Sequence, residues 1–139
     1  MYLWDANILR HYAEGHPNLA LHLKRVKRVE VGLPSVVFAE VLRGRCDYAL
    51  KARPEQAVQA HALLIDTHRM LARFQIVAFD QRCADALVRL RQQYSSRKRY
   101  ADMQIAAMAL AGNHTVVTRN TQDFADLLHP NQLQNWIDF

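Results

Sequence analysis

A chain of 139 residues that is 50% apolar, with only four Gly and four Pro, can bury roughly 70% of its unfolded surface and is too apolar to be disordered. Eighteen Lys and Arg against thirteen Asp and Glu give a net charge of +5, which favours anionic partners. The longest apolar runs fall far short of the ~20 residues of a membrane span. The start lacks the basic stretch, apolar core and small-residue cleavage site of a secretory leader. Residue 1 is therefore expected to be the native start, the location cytoplasmic, and residues 1–139 one domain. Cys46 and Cys83 belong to no CxxC pair and read as small apolar fillers, not as a disulfide.

Tyr2-Leu3-Trp4 reads as a short buried strand ending at Asp5. Asn7 to Glu14 is expected to be helical and to stop at Gly15. Pro17 opens a second helix, Asn18 to about Arg28, followed by a strand around Glu30 to Leu33 that Pro34 ends. Ser35 is placed as the N-cap of a helix from Val36 to Tyr48. Pro54 starts a helix over Glu55–Phe74, in which Val58, Ala62, Ile65 and Leu71 broadly keep helical spacing. A strand over Gln75–Phe79 follows, then a helix over Gln81–Tyr94 capped by Asp80. Ser95 to Arg99 is a polar, basic linker. Ala101–Ala111 is a helix that Gly112 closes. The reading ends with a strand over Thr115–Thr118, a short helix over Gln122–Leu128 and an edge strand at Trp136-Ile137. Strands alternating with helices predict an α/β fold, a short, mostly parallel sheet with helices on both faces.

Four acids adjoin the apolar elements: Asp5, Glu40, Asp102 and Asp123. Carboxylates are rarely buried unless paired or bound to metal. Each also has an ordinary structural role open to it. Asp5 ends the first strand, at the edge of a parallel sheet where ligands bind, yet it would equally serve as an N-cap. Glu40 interrupts Val36-Val37-Phe38-Ala39-Glu40-Val41-Leu42, or else marks the solvent stripe of that helix. Asp102 opens an Ala-rich helix, where a carboxylate also suits the helix dipole. Asp123 follows the strand at Thr115, three residues after Asn120, and that spacing puts both on one side of a helical turn. If those ends share one sheet edge, the carboxylates meet. Two like charges 4 Å apart at an effective dielectric of 20 repel by about 4 kcal/mol, so such a cluster protonates or takes up a cation. Hard divalent cations and phosphodiester chemistry are the expectation.

Four segments carry a resemblance to a known family. Leu3-Trp4-Asp5-Ala6-Asn7-Ile8-Leu9 resembles the opening of PIN-domain nucleases. Leu33 to Gly44, with Glu40, is similar to their second motif. Ala101-Asp102-Met103-Gln104-Ile105-Ala106-Ala107 is similar to the third, and Val116 to Phe124 to the fourth. Order and spacing match over essentially the whole chain, and the small size is similar to VapC-type toxins of toxin–antitoxin pairs. Ala6 stands where the family often has Thr or Ser, and Asn120 where many members carry Asp, so the fourth position falls to Asp123 or Asn120. The resemblance implies a PIN-like fold and an endoribonuclease in which Asp5, Glu40, Asp102 and Asp123 hold one or two Mg²⁺ (or Mn²⁺). Asn7, Thr118 and Asn120 would support them. It also implies a transfer-RNA or ribosomal-RNA loop as substrate, a cognate antitoxin and a toxin homodimer.

Basic residues flank the acids. Arg43 and Arg45 follow Glu40, Arg97, Lys98 and Arg99 precede Asp102, and Arg119 adjoins Asn120. Arg43, Arg97, Lys98, Arg99 and Arg119 are the candidate RNA contacts. The histidines show no ligand spacing; His61 and His68 lie about 10 Å apart along one helix. Two other readings compete. One is a catalytically weak PIN-like domain that binds RNA or protein. The other is an acid phosphatase-like or receiver-like domain, which would call for a paired Asp after the first strand and a Lys near the last strands, and neither is present.

Overall fold

Leu3 and Trp4 are neighbours on one strand and point to opposite faces of the sheet, yet both are fully buried, as are Val116 and Val117. A strand covered on both faces needs helices on both sides, and the sequence supplies them. The computed structural model describes residues 1–94 and 99–139. Its five strands are β1 (Tyr2–Trp4), β2 (Val31–Pro34), β3 (Gln75–Val77), β4 (Thr115–Val117) and β5 (Leu133–Gln134). They lie in the order β3-β2-β1-β4-β5, and every described strand pair is parallel. Tyr2 is in register with both Val31 and Thr115, so the carboxyl ends of β1, β2 and β4 lie along one edge. The helices are α1 (Ala6–Ala13), α2 (Pro17–Leu23), α3 (Ser35–Lys51), α4 (Pro54–Leu71), α5 (Gln81–Tyr94) and α6 (Tyr100–Gly112). The expected α/β fold with a parallel sheet is borne out. No described helix is long and apolar enough to cross a membrane.

The strand order reverses at β1. The chain winds outward through β2 and β3, then returns to the other side of β1 for β4 and β5. That reversal opens a crevice at the carboxyl ends of β1 and β4, the place where ligands bind in parallel α/β sheets. Gly32 and helix α6 keep the sheet tightly packed. A Cβ on Gly32 would lie 2.7 Å from Val77 Cγ2 and 2.9 Å from Met1 Cε, so only Gly lets β2 sit between its neighbours. α6 buries Met103, Ile105, Ala106, Ala107, Met108 and Ala109, and its small side chains allow close approach. An all-round apolar helix of this kind belongs in a core.

Several boundaries differ from expectation. α2 stops at Leu23, and a 3-10 turn over Arg28–Glu30 leads into β2. Ser35 is the first helical residue of α3. The cap is Pro34, with extended backbone and no side-chain cap bond. Pro34 cannot donate an N–H, and this position asks for none. α3 continues to Lys51, α4 ends at Leu71 and β3 at Val77. Gly112 is the last residue of α6, while Asn113 takes the left-handed conformation at φ 52°, a role that Asn can fill. Where a helix over Gln122–Leu128 is expected there is a 3-10 turn, Thr121–Asp123. The last strand is Leu133–Gln134, not Trp136-Ile137. Trp136 and Ile137 are buried by packing. Trp136 meets Trp4 edge-on at 6.2 Å, and Asn135 Oδ1 accepts the backbone N–H groups of Ile137 and Asp138 in a local turn. Cys46 and Cys83 are unpaired thiols.

Candidate active site

Asp5 sits where β1 ends, and it is both the N-cap of α1 and a buried carboxylate. Its Oδ1 accepts the Ile8 N–H at 3.3 Å, the cap bond that starts the helix. Its Oδ2 accepts the Thr118 hydroxyl at 2.5 Å and Asn7 Nδ2 at 3.1 Å. The N-cap and the functional readings of Asp5 are thus compatible, because one oxygen caps the helix while the other takes side-chain donors. Thr118, fully buried one residue beyond β4, also accepts the Asn120 N–H at 3.0 Å on the same oxygen. The Arg119 N–H reaches Asn7 Oδ1 at 3.5 Å. These bonds tie the ends of β1 and β4 together across the crevice.

Burial raises the Asp5 carboxyl from 3.8 to about 6. Desolvation is the largest cause. The bonds from Thr118 and Ile8 pull the other way, and the nearby charge of Asp102 adds to the rise. The three donors thus offset burial only in part, and a cation beside Asp5 would favour its ionised form.

One cleft of about 780 Å³ is lined by Asp5, Glu40, Asp102 and Asp123, with Asn7 and Asn120. Asp102 comes from the first turn of α6, Glu40 from the middle of α3 and Asp123 from the 3-10 turn after β4. Four segments scattered through the chain therefore open on one space. Glu40 at the rim faces Arg99, with Nη2 to Oε2 3.4 Å apart. Among the described residues, no three His, Cys, Asp or Glu side chains stand close enough to enclose an ion unaided. That arrangement still fits a hard cation of the Mg²⁺ kind, which keeps several waters and takes one or two carboxylates together with substrate phosphates. The buried Asp5 beside Asp102 supplies such a pair.

The basic candidates divide. Arg99 lines the cleft. Arg43 is exposed on α3 and is not part of the lining. Arg119 is engaged by Asp138 through two bonds of 3.2 Å. Arg97 and Lys98 lie outside the described residues. The structure adds Arg10, Arg45, Asp66 and Thr67 to the lining. A helical-spacing signal was available for one of them. Glu40, Val41, Gly44 and Arg45 fall at i, i+1, i+4 and i+5 on α3; Arg43, at i+3 from Glu40, is also a neighbour by spacing but lies outside the lining.

The family model described as "PIN domain" matches residues 2–128. No curated protein matches the chain. Among solved structures, a toxin–antitoxin complex from Klebsiella pneumoniae is 24% identical, covering 100% of both chains at a TM-score of 0.72. VapBC2 from Rickettsia felis bound to a promoter DNA fragment is 28% identical, covering 97% of this chain and 98% of that one at a TM-score of 0.66. FitAcB from Neisseria gonorrhoeae is 25% identical, covering 91% and 93% at a TM-score of 0.69. With the fold, the reversal of strand order at β1 and four motifs opening on one cleft, the match bears out the resemblance in the sequence: the chain belongs to the PIN-domain family.

Proposed function

We propose that this protein is an Mg²⁺-dependent endoribonuclease acting as the toxin of a toxin–antitoxin pair. The observation that carries the reading is the Asp5 carboxylate, buried at the strand crossover beside Asp102 and raised to about 6. Such a group gains most from a bound cation. Asp5, Glu40, Asp102 and Asp123 would hold one or two ions, Mg²⁺ or Mn²⁺. When bound, the cation supplies charge shielding for the phosphate and activation of water. The chain's own residues do the positioning. Thr118, Asn7 and the Ile8 N–H fix both oxygens of Asp5. Asn120, anchored on Thr118, lies along the same cleft where it can orient water or the ribose. Arg99 at the rim can leave Glu40 for a substrate phosphate, because an exposed pair at 3.4 Å is worth only about 0–1 kcal/mol.

RNA in a single-stranded loop is the favoured substrate, since its phosphates reach a cleft that a duplex cannot enter. The similar structures named toxin–antitoxin, VapBC and FitAcB support a protein antitoxin as partner. A homodimer and a cytoplasmic location complete the proposal. Purified protein should degrade single-stranded RNA with Mg²⁺, stop on chelation, and lose activity as Asp5→Asn or Asp102→Asn. Cleavage that continues undiminished in chelator would overturn the cation requirement.

A second reading is a PIN-like domain that binds RNA or protein without cutting. The Glu40–Arg99 pair and the lack of three gathered acids among the described residues favour it. Tight RNA binding with no cleavage in any divalent cation would select it.

A further inference from the structure

The cleft continues past the acids into an arm between α3 and α4, where Arg45, Thr67, Leu63 and Met70 form the lining. Arg45 is the unusual member. Its Nε donates to Thr67 Oγ1 at 3.3 Å, and Thr67 is only 5% exposed. A buried hydroxyl thus fixes the guanidinium by its inner nitrogen, which leaves the outer edge, Nη1 and Nη2, for another acceptor. Of the other arginines near the acids, Arg99 is paired with Glu40 and Arg119 with Asp138, while Arg10 also lines the cleft but is exposed on α1. Among the described residues Arg45 forms no ion pair, although Asp66 and Glu40 line the same cleft. A cation oriented by a neutral hydroxyl keeps its full charge for a ligand. A guanidinium held this way matches a phosphate in two-point geometry.

We infer that Arg45 binds a second phosphate of the substrate, one flanking the phosphate that the acids receive, and that Thr67 is its positioning residue. The inference rests on the nuclease reading and extends it. The substrate strand runs from the Asp5–Asp102 end of the cleft into the α3–α4 arm, so it must be single-stranded and extended over at least two consecutive phosphates. Leu63 and Met70 give the adjoining base an apolar wall.

The test is binding of a short single-stranded RNA to the Asp5→Asn protein, which removes cleavage from the measurement, over a range of salt concentrations. Adding Arg45→Gln should weaken binding about tenfold and reduce the slope of log K against log salt by about 0.7, the contribution of one phosphate contact on a single strand. Arg45→Lys should keep the slope and lose part of the affinity. Thr67→Val should weaken binding without changing the slope, and Thr67→Ser should restore it. That rescue separates positioning from a general loss of folding. In the cleaving protein, Arg45→Gln should raise KM and leave kcat nearly unchanged. RNA bound with the same slope and affinity after Arg45→Gln overturns this inference alone. Failure of the Asp5→Asn and the unsubstituted protein to bind RNA at all overturns the nuclease reading with it.

Discussion

Thr118 donates its hydroxyl to Asp5 Oδ2 across 113 residues of sequence, joining the ends of two strands that flank the reversal of the sheet. Neither residue is exposed: Asp5 is 7% and Thr118 0% accessible. The bond aims the carboxylate and removes one of its lone pairs from competition. Groups that orient a ligating carboxylate in this way typically contribute 10–100-fold to metal affinity or activity. Thr118→Val, which keeps the shape and loses the donor, should reduce RNA cleavage by about that factor, and Thr118→Ser should recover most of it. Steady-state rates on a fluorogenic single-stranded RNA measure both.

The raised Asp5 carboxyl has a stability consequence of definite sign. Its folded value of about 6 lies above the ordinary 3.8, so between those values the folded chain holds more protons than the unfolded one. Stability from this group is present in full below 3.8 and is lost as pH rises through 6. The difference amounts to about 3 kcal/mol. Thermal unfolding of the wild type should therefore show Tm falling from pH 5 to pH 7.5, and Asp5→Asn should flatten that fall. Part of the gain from Asn is offset, because its one amide oxygen can replace only one carboxylate oxygen, leaving either the Ile8 N–H or the Thr118 and Asn7 donors without an acceptor.

A bound cation should reverse the same trend. An ion that binds only the folded, ionised form stabilises by mass action. Mg²⁺ should raise Tm strongly at pH 7.5, where Asp5 is ionised, and little at pH 5, where it is mostly protonated. Equal shifts at both pH values would show that the ion acts elsewhere on the protein. Asp102→Asn should weaken the shift at pH 7.5.

The Glu40–Arg99 pair makes the opposite kind of prediction. Arg99 is 69% exposed and Glu40 32%, so solvent screens the attraction and its net worth is small. Arg99→Ala should change stability by no more than about 0.5 kcal/mol while weakening RNA binding at low salt. A large drop in Tm would mean that the pair has a structural role.

Gly32 tests the packing of the sheet. Ala at this position would place its Cβ 2.7 Å from Val77 Cγ2. Val77 is β-branched and stiff, so the strain falls on the β2–β3 spacing. Overpacking of this kind costs about 1–3 kcal/mol, and chemical denaturation of Gly32→Ala should show a loss in that range.

Periodicity and punctuation determined much of this molecule directly. The alternation of short apolar runs with helical spacing specifies a parallel α/β sheet, because strands buried on both faces need apolar residues at every position. Asp5, Glu40, Asp102 and Asp123 stood out as a set because each lies in or beside a short apolar run. Where the elements depart from local pattern, packing outweighs local preference. Trp136 and Ile137 look like a strand, yet Trp136 is buried where its ring meets Trp4 and Tyr2, and aromatic packing leaves no trace in a two-residue pattern. Asn113 took the left-handed turn that Gly112 would suit, and Gly112 stays helical as the last residue of α6.

The tertiary structure alone decided how the acids share their space and which cations accompany them. Sequence marks the carboxyl ends of strands, but only the reversal of winding at β1 places Asp5 against Thr118 and opens the cleft between them. Likewise Arg43, Arg45, Arg99 and Arg119 are equivalent as letters. Partners distinguish them: Asp138 holds one, Glu40 another, and a buried hydroxyl a third. The physical reason is that the availability of a charge depends on what surrounds it in space, and contacts between distant segments are fixed only when the whole sheet closes.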